Sequence, residues 1–120
     1  MDLVLIELIL SSKKEILMKT KNEGYHSQKN QYLSYVETDK TMVEFNYLDY
    51  VLKKDNEEIY LEYKFIENEL TKGIVESREV KQKVLVDINT KSIEKYEKKI
   101  VIEYNLELEE YRLEIKWRNL

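Results

Sequence analysis

Residues 100–108 read IVIEYNLEL and residues 111–118 read YRLEIKWR, and these two runs decide the fold. Apolar and polar side chains alternate through both, and only Val101 interrupts the alternation in the first run. A period of two is typical of a β-strand with one buried face, because successive side chains point to opposite sides. The two runs therefore predict an antiparallel pair of strands that turns at Glu109–Glu110.

A helix is the competing interpretation of the same region. Residues spaced by three or four also form an apolar stripe: Ile93, Tyr96, Ile100, Tyr104, Leu108, Tyr111 and Ile115. That helix would leave four large apolar side chains off its stripe: Ile102, Leu106, Leu113 and Trp117. Strand pairing places all four on the buried face, so we favour the strands.

The same alternation extends the strand prediction to most of the chain. Apolar residues occupy every second position in three further runs: residues 43–47, 59–65 and 84–88. Tyr32–Thr38 is rich in Tyr and Val, which suit a pleated surface, and Leu3–Leu10 is apolar on both faces. Strand runs spaced by about 8–12 residues predict an all-β sandwich or barrel. At most one short helix would fit, within residues 66–79 or 91–97.

Turns must form without their usual residues, because the chain has no proline and only two glycines, Gly24 and Gly73. Polar segments between the apolar runs predict the turns: Lys21–Gly24, Gln28–Gln31, Glu37–Thr41, Lys53–Glu57, Ile66–Glu69, Gly73–Glu79, Lys91–Glu97 and Glu109–Glu110.

Bulk composition indicates one globular domain over residues 1–120. Hydrophobic residues make up 42% of the chain, which is too much for a disordered protein despite 37% charged residues. The net charge of −4 lacks the basic footprint of nucleic-acid binding. The Leu3–Leu10 run is too short to span a bilayer and has no basic segment before it, so we expect a cytoplasmic protein.

Residues for catalysis or metal binding are scarce. The chain has no cysteine and one histidine, His26, which lies in a polar stretch and is expected to be exposed in a loop. Nucleophilic triads need a histidine, and metal sites usually need several Cys or His ligands. Opposed rows of Glu and Lys or Arg on neighbouring strands are expected to be cross-strand ion pairs. We therefore expect no enzyme, no metal and no cofactor.

Several segments resemble a known family. Tyr32–Thr38 resembles a Tyr-x-x-Tyr-x-Glu strand, Thr41–Phe45 follows at the right distance, and Val84–Thr90 resembles a strand that ends in Thr. Ile102–Leu106 and the final alternating strand resemble the last hairpin of the same family. This is the YwiB-like family, uncharacterised bacterial proteins with a lipocalin-like (calycin) β-barrel. The resemblance implies a closed or nearly closed antiparallel barrel of about 8–10 strands, whose interior can hold one small ligand.

Two loops depart from the family pattern. A Thr-Pro-x-Gly turn is usual before the Val84 strand, and the aligned stretch here is Glu79-Val80-Lys81-Gln82. The last hairpin of the family often turns on Asn-Gly, where this chain has Glu109–Glu110. These differences concern loop geometry rather than the barrel.

Aromatic residues are the most distinctive feature, with ten tyrosines and one tryptophan. Six aromatic side chains fall on faces predicted to point inward: Tyr35, Phe45, Tyr63, Tyr104, Tyr111 and Trp117. They form either a plain aromatic core or the wall of a ligand pocket, in which tyrosine hydroxyls fix the head group. Arg112 and Arg118 could face an acidic ligand, but alternation directs both outward.

The expected function is therefore binding of a small, apolar or amphipathic ligand inside the barrel, without catalysis. The alternative is an interaction module that dimerises or pairs with a partner through an exposed strand edge.

Overall fold

The computed structural model describes all residues from Met1 to Leu120 and contains strands but no helix. The ten strands are β1 (Asp2–Ser12), β2 (Glu15–Ser27), β3 (Tyr32–Val36), β4 (Met42–Asn46), β5 (Val51–Asp55), β6 (Ile59–Lys64), β7 (Leu70–Ser77), β8 (Gln82–Tyr96), β9 (Lys99–Leu106) and β10 (Glu109–Asn119). No helix is therefore long and apolar enough to cross a membrane. The all-β prediction is confirmed.

The strands form a closed antiparallel barrel in which each strand pairs with its neighbours in sequence. Closure comes from β1, which pairs with β10 from Val4↔Asn119 to Ser11↔Arg112. The junction of β2 and β3 is short and covers only Gly24 to Ser27 of β2. Residues 15–23 of β2 therefore pair with β1 on one side and have a free edge on the other.

Alternation places one continuous core inside the ring. Val4, Ile6 and Leu8 of β1 are buried, and in β10 the buried residues are Leu113, Ile115 and Trp117. The register sets these two rows directly opposite each other, since Ile6 pairs with Trp117 and Leu8 with Ile115. Facing apolar rows of this kind are the main stabilising contacts of a sheet.

Turns form through non-glycine residues in the left-handed region. Lys13 (φ 52°) and Lys14 (φ 66°) make the two-residue turn between β1 and β2, and Glu107 (φ 54°) begins the turn between β9 and β10. Each such residue costs about 1–2 kcal/mol of backbone strain. The chain therefore makes tight turns despite its lack of glycine, and the non-glycine residues in those turns bear the backbone strain.

Four of the predicted turns are wrong. Most of Gly73–Glu79 lies inside β7, and the turn that follows is at residues 78–81. Lys21–Gly24 lies inside β2, and most of Lys91–Glu97 lies inside β8, which passes Lys91 through a bulge between Thr90 and Ser92. A bulge inserts one extra residue without ending the strand. Glu109–Glu110 begins β10, and the turn is at residues 107–108, which leaves Leu108 96% exposed instead of inward.

Candidate functional site

The two ends of the barrel are built from opposite ends of the strands. The starts of β2, β4, β6 and β10 meet the ends of β1, β5 and β9 at one opening. The ends of β2, β4 and β10 meet the turn between β8 and β9 at the other. We call the first opening the mouth and the second the aromatic end.

A cavity of about 380 Å³ opens at the mouth, and we call it the mouth pocket. Eleven of its 16 lining residues are hydrophobic. Six are leucines that alternation turns inward: Leu8, Leu10, Leu52, Leu61, Leu106 and Leu113. The others are Met18, Ile59 and three tyrosines. Leucine side chains line the cavity at this end, whereas His26, Tyr47 and Trp117 pack together at the opposite end.

Tyr63, Tyr104 and Tyr111 are the three tyrosines of the mouth pocket. The rings of Tyr104 and Tyr111 stack with centroids 5.7 Å apart, and Phe65 packs between Tyr63 and Tyr104. Burial raises the pKa of Tyr63 and of Tyr104, and the charge that Tyr111 would carry on ionisation raises both further. The hydroxyls of Tyr63 and Tyr104 therefore stay protonated at neutral pH and can donate hydrogen bonds to a ligand.

The rim of the mouth pocket is polar. The ammonium of Lys54 lies 3.8 Å from a carboxylate oxygen of Glu37. Asp39 accepts a hydrogen bond from the Thr41 amide at 3.0 Å, and hydrogen bonds from Thr41 lower the pKa of the Asp39 carboxyl. Asn56 donates to the Thr41 hydroxyl at 3.0 Å. The rim thus carries two carboxylates against one ammonium, which is a net negative charge.

The structure brings together three of the six aromatic residues predicted to bind a ligand. Tyr63, Tyr104 and Tyr111 line the mouth pocket. Tyr35 and Phe45 are buried in the core outside it, and Trp117 is buried at the aromatic end. Arg112 and Arg118 are exposed, as their alternation predicts, and Arg112 lies 3.5 Å from the carboxylate of Glu114.

The prediction for His26 is wrong. Its side chain is 8% exposed, and Nε2 lies 2.7 Å from the hydroxyl oxygen of Tyr47. The reason is that β2 runs straight through Gly24, so the polar stretch around His26 is strand rather than loop. Gly24 and His26 are two residues apart and both point inward, whereas Glu23 and Tyr25 point outward. This period of two was the signal that could have predicted a strand here.

Sequence reasoning also missed the leucine lining, because it gave weight to aromatic residues. Leu106 and Leu113 lie on faces correctly predicted to point inward, yet nothing in the sequence separates a leucine that packs from one that borders a cavity. No group of three or more His, Asp or Glu side chains is arranged to hold a metal ion.

Comparison with known proteins agrees with this architecture. No family model matches the sequence, and no curated protein does. The crystal structure of the ywiB protein from Bacillus subtilis matches 98% of this chain and 90% of that chain, with a TM-score of 0.67. The chain has a YwiB-like fold. The two sequences are 18% identical, so the likeness concerns the fold and carries no activity with it.

Proposed function

We propose that the protein is a non-enzymatic, cytoplasmic, lipocalin-like barrel that binds a small, partly apolar ligand in the mouth pocket. The observation that carries the proposal is the 380 Å³ cavity with its eleven hydrophobic lining residues. Ligand sites typically have volumes of roughly 300–1,000 Å³, apolar walls and a few placed polar groups. The sequence supports the absence of catalysis, because one histidine and no cysteine leave few nucleophile–base pairs.

The lining defines the class of ligand. The leucines would pack against an apolar body, and the hydroxyls of Tyr63 and Tyr104 would donate to a carbonyl or hydroxyl oxygen. The carboxylates of Glu37 and Asp39 at the rim would repel an anion. A neutral ligand, such as an ester, amide or alcohol with a short hydrocarbon body, fits this arrangement best.

Native mass spectrometry of protein purified from its own cytoplasm tests the proposal. We expect a stoichiometric small adduct on the wild-type protein. Leu61→Phe, which adds volume inside the mouth pocket, should lose the adduct, and Leu85→Phe should keep it, because Leu85 is 60% exposed on the outer surface.

A titration with the neutral dye N-phenyl-1-naphthylamine gives an independent measurement. Its fluorescence should rise saturably with the wild-type protein and with Leu85→Phe, and much less with Leu61→Phe. Absence of an adduct together with equal dye binding by all three proteins would contradict a ligand site in the mouth pocket.

Self-association is the second candidate function, and the free edge of β2 favours it. Residues 15–23 lack a partner strand on one side, and Ile16 and Leu17 are 59% and 52% exposed. We rank it second because Lys19, Lys21 and a bulge at Leu17 blunt this edge against pairing.

Sedimentation velocity decides on this second candidate. A dimer of the wild-type protein that Leu17→Lys dissociates would support pairing through β2. The matched control is Leu70→Lys, because Leu70 is 62% exposed at the start of β7, five strands from β2 around the barrel. A wild-type monomer at all accessible concentrations would rule it out.

A further inference from the structure

The aromatic end holds a second pocket, of about 330 Å³, that the proposed function does not use. His26, Tyr47 and Trp117 form its floor, with the His26 and Tyr47 rings centred 5.2 Å and 5.3 Å from the Trp117 ring. Lys95 and Lys98 stand on its wall. Its chemistry is opposite to that of the leucine-lined mouth pocket.

Trp117 has an unused hydrogen-bond donor at this pocket. The residue is 6% exposed, and its indole Nε1–H is buried without an acceptor. Buried polar groups in folded proteins nearly always have a partner, because an unpaired one forfeits its hydration without compensation. Nε1 itself has almost no accessible surface, so neighbouring side chains must move aside before an acceptor atom in the pocket can reach this donor. The hydrogen bond that the donor would gain favours that movement.

The wall of the pocket supplies positive charge that the protein does not neutralise. Neither Lys95 nor Lys98 forms an ion pair. The Lys95 ammonium lies 5.3 Å from the centroid of the Tyr47 ring and 3.3 Å from the side-chain oxygen of Gln31. The main-chain oxygen of Lys98 accepts a hydrogen bond from the amide of Trp117 at 3.1 Å, which keeps this lysine beside the indole.

We propose that the aromatic end binds a small oxyanion, a carboxylate or a phosphate, between the Trp117 indole N–H and the ammonium groups of Lys95 and Lys98. Hydrogen bonds from charged donors to an oxyanion are short and strong, and the aromatic floor excludes water from one side of them. Glu97 is the one carboxylate on the pocket wall, against two ammonium groups.

His26 gives the site a titratable neighbour. Burial lowers the pKa of His26, Lys98 lowers it further, and Asp2 on the facing strand β1 opposes both. The imidazole is therefore neutral at pH 7, and a bound anion would raise its pKa by favouring the protonated form.

The sequence makes this proposal easy to test, because Trp117 is the only tryptophan and His26 the only histidine. Inorganic phosphate and sodium acetate are titrated separately into the uniformly ¹⁵N-labelled protein and followed by NMR. We expect a saturable downfield shift of the Trp117 indole N–H resonance and a rise in the pKa of His26. The anion that binds more tightly identifies the ligand as phosphate-like or carboxylate-like.

Matched variants separate a site from general electrostatic attraction. Lys95→Gln with Lys98→Gln should weaken binding at least about tenfold, since each removes a charged hydrogen bond. Lys14→Gln with Lys19→Gln removes the same charge near the mouth and should leave the affinity unchanged. The Trp117→Phe variant, read through His26, should also bind more weakly.

Two results would overturn the proposal: no saturable shift of the indole resonance with either anion, or equal weakening by both lysine pairs. Because neither anion should occupy the mouth pocket, failure here would leave the proposed function unaffected.

Discussion

His26 Nε2 and the hydroxyl oxygen of Tyr47 lie 2.7 Å apart, and this bond joins the end of β2 to the turn that follows β4. Both side chains are nearly buried, at 8% and 5% exposure, and the Trp117 ring packs on both. This hydrogen bond and the ring packing together stabilise the aromatic end. Because His26 is the sole histidine, its titration reports on the packing there.

Stability should depend on the protonation of His26. Burial lowers the pKa of His26 below the 6.5 of a free imidazole. Between these two pKa values, the unfolded chain binds a proton at His26 and the folded protein does not. The free energy of unfolding should therefore fall as the pH drops through about 6.5 and stop falling below the lowered pKa. Urea unfolding of the wild-type protein and of His26→Gln from about pH 7.5 to about pH 5 measures this. Parallel curves for the two proteins would show that His26 contributes nothing.

Gly24→Ala should strongly destabilise the barrel. A Cβ at Gly24 would lie 2.4 Å from the main-chain oxygen of Ser34 and 2.8 Å from Cβ of Tyr35, and neither can move without shifting β3. The clash falls on the short β2–β3 junction, so we expect a loss of about 3 kcal/mol.

Gly73→Ala is the matched control, because its Cβ would meet only side-chain atoms of Ile88, Tyr63 and Val86. These can rotate, so the loss should be smaller. Thermal unfolding compares the two variants, and equal losses would contradict the role assigned to the β3 backbone.

The register of the last hairpin is testable with two alanine substitutions. Ile102 is fully buried, and Ile102→Ala should cost about 2–5 kcal/mol. Leu108 is 96% exposed at the turn, so Leu108→Ala should change stability by less than about 0.5 kcal/mol. A turn at Glu109–Glu110 would instead bury Leu108, and the two variants would then both be destabilised. Chemical denaturation distinguishes these outcomes.

The turn between β1 and β2 offers a stabilising change. Lys13 and Lys14 both have positive φ, which suits the Asn-Gly sequence of a two-residue hairpin. The double substitution Lys13→Asn with Lys14→Gly should raise the free energy of unfolding by about 1 kcal/mol, since it relieves strain in both residues. Lys19→Gly, within β2, should lower it. A drop in stability of the turn variant would refute the turn geometry.

Alternation predicted the strands well because inward and outward positions differ sharply in burial along β9 and β10. Ile100, Ile102 and Tyr104 are all less than 5% exposed. Val101, which breaks the pattern, is itself 3% exposed, so the outer face at this point is also covered. Where the barrel is covered on one face alone, a period of two is a strong signal.

Bulges and left-handed turns have no such signal. Lys91 lies at a bulge and Lys14 in a left-handed turn, yet both are ordinary lysines in a chain full of them. The position of the mouth pocket depends on how the ten strands are aligned around the closed barrel. That alignment cannot be determined from the alternation within any single strand. For this reason the inward faces could be predicted, and the position of the hollow could not.

Because β1 pairs with β10, the barrel cannot close during synthesis until both strands have been made. Residues 4–11 leave the ribosome first among the strands, and their partners at residues 112–119 leave last. Until then β1 is paired only with β2, and the barrel stays open between β1 and the strands that have already formed. Chaperones that shield nascent strands should therefore associate with this chain until residues 112–119 have left the ribosome.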